Sequence, residues 1–182
     1  FVLAKHMLIK RVPMKLNIVR INRLAVLSAA VCAAMLAFSP KAAAIGLTFN
    51  DAHVVGTITP ATPFNPTVVS AYINFMIALA PGHSGTFQNP PYTQTITRSS
   101  NTFASLPNAL VPGAVTGFGT TINLGAGVYS YLFAKYGGQN DVSQVWYVGN
   151  LSGIVTIPAL GPMGHALRRW KLFPPGGQVP DG

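Results

Sequence analysis

The stretch of residues 127–158 constrains the fold more than any other part of this chain. It contains three short apolar runs, residues 128–136, 142–148 and 154–157, which are rich in β-branched and aromatic side chains. Each run is bounded by Gly, Asn or Asp, which is typical of adjacent antiparallel strands joined by tight turns. We therefore predict neighbouring antiparallel strands here, with residues 137–141 as a hairpin loop.

Residues 14–44 have the three parts of a secretory signal peptide. A positive segment comes first, residues 24–38 are uncharged and rich in Ala, Leu and Val, and Ala42 and Ala44 fit the small-x-small rule for signal peptidase. We predict cleavage after Ala44. The alternative is a retained membrane anchor, because the uncharged run has about the shortest length that spans a bilayer. Residues 1–13 are expected to be upstream read-through, with translation starting at Met14.

The basic charge lies mostly in the targeting segment. Residues 1–44 hold seven of the 12 Lys and Arg and no acidic residue, whereas residues 45–182 hold five against three Asp. The high isoelectric point is therefore no sign of nucleic-acid binding, which would need basic residues clustered on the folded part. Only Arg168, Arg169 and Lys171 cluster there, and we predict a solvated strand edge for them.

The rest of the chain predicts an all-β protein, an antiparallel β-sandwich or jelly-roll-like single domain over residues 45–173 that follows the N-terminal signal helix. Turn signals rich in Gly and Pro recur throughout, and residues 165–173 can form a last strand. The apolar run at residues 67–80 fits a helix or a strand; its β-branched and aromatic residues favour a strand covered on both faces. Residues 174–182 are expected to form a Pro/Gly linker.

Residues able to support catalysis or hold a metal are few after the targeting segment. Asp51 and His53 would share one face of a strand, and Asp141 with Asn140 could contact Ca²⁺, but a strand start and a turn explain them as well. Paired-carboxylate hydrolysis is disfavoured, since residues 45–182 contain three Asp and no Glu. We predict no enzyme, no cofactor and no metal. A hydrolase would need two of the Asp and His side chains within hydrogen-bond reach in a cleft.

Aromatic side chains offer a different function, the stacking of sugars. Two or more exposed, coplanar rings would indicate a secreted carbohydrate-binding module, whereas buried rings would simply fill the core, which is more usual for aromatic residues in apolar strands. The candidates for glycan contact are Tyr129, Tyr131, Tyr136, Trp146, Tyr147 and Trp170.

The C-terminal part resembles a known class of exported proteins. The segments WYVGNLSGIVTIPA and GHALRRWKLF, a Pro/Gly linker and then Val179, Pro180, Asp181 and Gly182 are similar to the C-terminal half of PEP-CTERM-type proteins, most of all the VPDSG-CTERM variant. In that family a Val-Pro-Asp motif precedes a hydrophobic helix and a basic cluster. An exosortase-type transpeptidase recognises this tail, removes the helix and transfers the protein to the cell surface or matrix.

The resemblance implies that Val179, Pro180, Asp181 and Gly182 form a sorting motif, acting as a substrate. The sequence ends at Gly182, so either the helix and basic cluster follow in the gene or this copy is not sorted in this way. We expect a non-enzymatic bacterial surface or extracellular matrix protein. Signal peptidase and an exosortase-type enzyme would be its transient partners, exopolysaccharide a candidate partner, and nucleic acid none.

Overall fold

Short strands connected by turns make up most of the described part of the chain. The structure is a computed structural model that describes residues 43–60, 64–137 and 141–176. The elements in these ranges are β1 (Ile45–Gly46), β2 (Val54–Thr59), α1 (Pro66–Ala78), β3 (Ser84–Asn89), β4 (Tyr92–Arg98), β5 (Val115–Gly117), β6 (Thr121–Asn123), β7 (Tyr131–Tyr136), β8 (Ser143–Tyr147), β9 (Ile154–Thr156) and β10 (Leu167–Phe173).

The strands form two sheets of unequal size. The larger sheet has seven strands in the order β3-β4-β2-β8-β7-β10-β5, and all its neighbours are antiparallel. The smaller sheet has the order β1-β9-β6, with β1 parallel and β6 antiparallel to β9. The predicted all-β, sandwich-like architecture is confirmed.

Both faces of the larger sheet are buried, and each face has its own hydrophobic core. Leu132 and Ala134 of β7 lie in the core shared with the smaller sheet, which contains Val155 of β9. Tyr131 and Phe133 of the same strand lie in the core shared with α1. Because successive side chains of a strand point to opposite faces, β7 is apolar at nearly every position.

The apolar run at residues 67–80 is a helix, so the strand favoured from sequence is wrong. The side chain of Asn65 caps α1 by accepting the backbone N–H of Thr67 at 2.9 Å, and Pro66 occupies the first turn. The buried apolar residues of α1 recur at helical spacing: Val69, Tyr72, Ile73 and Met76. With these side chains α1 covers the face of the larger sheet that the smaller sheet leaves open.

The antiparallel pair predicted in residues 127–158 is confirmed for its first two runs. β7 and β8 are neighbours, with Leu132 opposite Trp146. The third run, β9, does not continue this sheet but pairs with β1 and β6, so the expected third neighbour is wrong. The physical reason is that β2 already occupies the free edge of β8.

Candidate binding site

A cluster of four basic side chains lies where β7 and β10 meet. Lys135 of β7 stands directly opposite Arg169 of β10 in the antiparallel register. The register shifts between Leu167 and Arg169, which marks a β-bulge next to Arg168. Adjacent strand residues normally point to opposite faces, but a bulge re-aims side chains. Arg168 and Arg169 accordingly line the same pocket.

The pocket above this cluster has a volume of about 420 Å³. Two aromatic rings contribute to its wall. Phe64 lies just before α1, and Phe118, whose side chain is 70% exposed, lies just after β5. The Arg169 guanidinium carbon lies 5.3 Å from the ring centroid of Phe64 and 5.9 Å from that of Phe118. These distances are within the range of cation–π attraction, so the rings hold the arginine in place. The pocket lining is Phe64, Phe118, Lys135, Gly137, Arg168 and Arg169.

Lys171 is buried and contacts the Phe64 ring of the pocket wall. Its side chain donates to the Thr116 hydroxyl, and its Nζ lies 4.1 Å from the Phe64 ring centroid. Burial lowers the pKa of Lys171, and the charge of Arg169 lowers it further. Burial likewise lowers the pKa of Lys135, with the charges of Arg169 and then Arg168 adding to the effect. The basic residues therefore repel one another across this site.

The solvated strand edge predicted for the basic cluster is wrong in two respects. β10 is an inner strand between β7 and β5, and Lys171 is only 4% exposed. Arg168 and Arg169 are exposed, as predicted, but they line a concave pocket. Lys135 was missed because it lies more than 30 residues away in sequence, and only the β7–β10 register brings it to Arg169.

The six aromatic residues proposed as glycan contacts do not form an exposed platform. Tyr131, Tyr136 and Trp146 are fully buried and fill the core, which is the role that their apolar strands favoured. The polar group of each of these three rings donates to a backbone carbonyl. The Tyr136 hydroxyl donates to Pro158 O at 3.1 Å, the Trp146 indole N–H to Thr48 O at 2.8 Å, and the Tyr131 hydroxyl to Pro107 O. These rings serve the core, which satisfies their polar ends with carbonyl groups.

The other three candidates are half-buried. Tyr129 and Trp170 pack against the core between the sheets, and Trp170 lies over Gly117. Tyr147 makes edge contacts with Phe103 and Tyr131, with ring centroids 5.7 and 5.9 Å apart. Tyr147 also lines a second pocket of about 400 Å³, whose wall includes Phe103 and His53.

The candidate metal and acid–base residues are engaged in local structure. Asp51 accepts the backbone N–H groups of Thr48 and His53, at 2.5 and 2.8 Å, and thereby fixes the turn before β2. Asp141 is buried and pairs with His165. Within the described ranges no group of three or more His, Cys, Asp or Glu could hold a metal ion. Asn140 and Asp181 lie outside the described residues.

The targeting residues fall mostly outside the described part of the chain. Ala42 and the sorting motif Val179, Pro180, Asp181 and Gly182 are not described, whereas Ala44 is described and exposed. No helix in the described ranges is both long and apolar enough to cross a membrane.

Comparisons with known proteins found no significant match to this chain. No protein-family model matches it, and neither a curated protein nor a solved structure shows significant similarity.

Proposed function

We propose that this protein is an exported, non-enzymatic protein of the bacterial cell surface or extracellular matrix, delivered by a signal peptide and carrying a C-terminal sorting signal. The observation that carries the proposal is where the first described strand begins. β1 starts at Ile45, the residue that follows the proposed cleavage site. Cleavage after Ala44 would therefore release the β domain with every strand retained.

The start of β1 makes this boundary specific. Ile45 pairs with Val155 and Gly46 with Thr156, and the next residue, Leu47, donates its backbone N–H to Thr156 O at 2.8 Å. Leu47 is buried in the core between the sheets. Cleavage a few residues later would remove these contacts. Cleavage after Ala44, at the small-x-small pattern, is therefore the last cut that would keep all of β1 in the smaller sheet.

The proposed partners follow from the two targeting signals. Signal peptidase would act at Ala42 and Ala44, and an exosortase-type enzyme would act at the motif from Val179 to Gly182. An exopolysaccharide of the matrix is the proposed long-term partner. A non-enzymatic role is supported by the engagement of Asp51 in the turn before β2.

Processing in a bacterial host tests the export proposal. The gene is expressed from Met14, cell fractions are separated, and the mature N-terminus is determined by mass spectrometry. We expect a mature chain that begins at Ile45 in the exported fraction. Ala44→Tyr should block cleavage, because this position needs a small side chain, whereas the matched control Ala43→Tyr should be processed normally. An unprocessed wild-type chain in the cytoplasm would contradict the proposal.

The sorting signal has a separate test. The gene is sequenced past the codon for Gly182, where we expect about 20 apolar codons followed by an Arg/Lys cluster. A stop codon directly after Gly182 would leave the export proposal in place and remove the sorting proposal.

A further inference from the structure

We propose that the pocket between β7 and β10 binds a carboxylated saccharide, with Arg168 and Arg169 contacting carboxylate groups and Phe118 packing on the sugar ring. This site differs from the six aromatic residues considered above, which lie elsewhere or are buried. The step from an anion to a saccharide rests on the proposed function, which delivers the domain to a matrix. Binding measured in solution and processing measured in cells can fail independently, so the two proposals can be separated.

The cross-strand charge pair is the observation that points to an anionic ligand. Lys135 and Arg169 occupy directly opposed positions on antiparallel strands, where like charges destabilise a sheet. Arg168 and Lys171 add two more positive charges within the same few residues. An anion in the pocket would relieve this repulsion, so the arrangement favours the ligand-bound state.

The side chains that face the pocket favour carboxylates. Arginine presents a planar fork of N–H donors that matches a carboxylate in bidentate fashion. Two such forks side by side, at Arg168 and Arg169, fit two acidic groups or one group held from both sides. Arg169 is also fixed against Phe64 and Phe118, which reduces the entropy that binding would otherwise cost.

The aromatic wall favours a ligand with an apolar face. Phe118 is 70% exposed, which leaves most of its ring available, and phenyl rings attract the weakly positive C–H groups that cover one face of many sugars. The volume of about 420 Å³ falls in the range of small-molecule sites. A nucleic-acid surface would need basic residues spread along a track, whereas the exposed arginines of the described ranges lie together in this pocket.

Calorimetric titration of the purified full chain tests the proposal. The probe is tetragalacturonate, and its fully methyl-esterified form is the matched neutral control. We expect binding of the acid and none of the ester, with affinity that falls as NaCl rises from about 0.05 to 0.5 M. Arg168→Gln and Arg169→Gln should each weaken binding about 10- to 100-fold, because each removes a charge-assisted contact.

Two further variants separate the site from general effects on folding. Phe118→Ala should weaken binding, whereas Tyr92→Ala removes an exposed ring on β4, near the opposite edge of the larger sheet, and should leave binding unchanged. Arg169→Lys keeps the charge but loses the fork, so it should bind between the wild type and Arg169→Gln. Thermal unfolding of every variant confirms that the domain is folded.

Several results would overturn the proposal. Equal binding of the acid and the ester would show that charge is not recognised, and unchanged affinity in both glutamine variants would place the ligand elsewhere. Inorganic phosphate that binds as tightly as the oligosaccharide would reveal a site for simple anions. Tighter binding of single-stranded oligothymidylate would make the pocket part of a nucleic-acid surface.

Discussion

Gly56 lies where α1 and β4 approach β2 most closely, and replacing it should destabilise the fold strongly. A Cβ atom on Gly56 would lie 2.1 Å from Thr97 O of β4 and 2.8 Å from Met76 Sδ of α1. Its φ angle is not positive, so an alanine could adopt the backbone conformation. The effect of Gly56→Ala should therefore come from steric overlap and not from backbone strain. The substitution thus tests directly how the helix packs on the sheet.

The magnitude follows from which atoms would have to move. A carbon–oxygen contact normally needs about 3.3 Å, so the β4 backbone would have to withdraw by roughly 1 Å. Met76 is flexible and can yield, but Thr97 O cannot move without distorting the ladder between β2 and β4, where Thr57 pairs with Thr97. Overpacking usually costs about 1–3 kcal/mol. We expect about 3 kcal/mol for Gly56→Ala, because a backbone atom blocks the space.

Urea unfolding followed by tryptophan fluorescence measures this change, since Trp146 is buried in the core. The matched control is Gly46→Ala on β1, where the nearest atom, Thr156 Oγ1, lies 3.7 Å from the added Cβ. The control should change the free energy of unfolding by less than about 0.5 kcal/mol. If Gly56→Ala were as stable as Gly46→Ala, the close packing of α1 and β4 on β2 would be wrong.

The remaining predictions concern a half-buried amide and the response to alkaline pH. Asn74 clamps a loop to α1, since its Oδ1 accepts the Ala109 N–H at 2.8 Å and its Nδ2 donates to Ala109 O at 3.3 Å. Asn74→Ala should cost about 1–3 kcal/mol in urea unfolding because a buried N–H loses its partner, whereas the exposed control Asn123→Ala should cost less than 1 kcal/mol. Burial raises the pKa of Tyr136 above its ordinary value near 10, so only the unfolded chain ionises this group just above pH 10. Stability should therefore fall as pH rises past about 10, and Tyr136→Phe should flatten that fall; an unchanged slope would contradict this assignment.

The strands that the sequence predicted best are those with local signals at both ends. β7 and β8 are each apolar and flanked by Gly, Asn or Asp, so their pairing follows from a short loop. β7 also carries apolar side chains on both of its faces. What the sequence could not show was that one of those faces is covered by a helix and the other by a second sheet.

The helix α1 was mistaken for a strand because its composition and its end signals disagree. Its β-branched and aromatic residues favour a strand, yet Asn65 and Pro66 form a helix start. Tertiary packing decided the outcome. The sheet presents a continuous apolar face at Phe133 and Val145, and a helix with Tyr72 and Met76 on one side can cover it.

The pocket could not be predicted because it depends on long-range register. Arg168 and Arg169 were visible as a basic pair, but their partner Lys135 and the rings of Phe64 and Phe118 come from distant parts of the chain. No local pattern fixes a β-bulge to a particular residue, and it is the bulge that allows both arginines to line one side.

The position of β10 joins stability and recognition in a single strand. Its C-terminal end is anchored in both cores, with Leu172 between the sheets and Phe173 beneath α1, whereas its N-terminal end carries the two exposed arginines. A site on an inner strand is held by neighbours on both sides, unlike a site on a loop. The exposed arginines are therefore held in fixed positions beside Lys135, as the proposed binding of an anion requires.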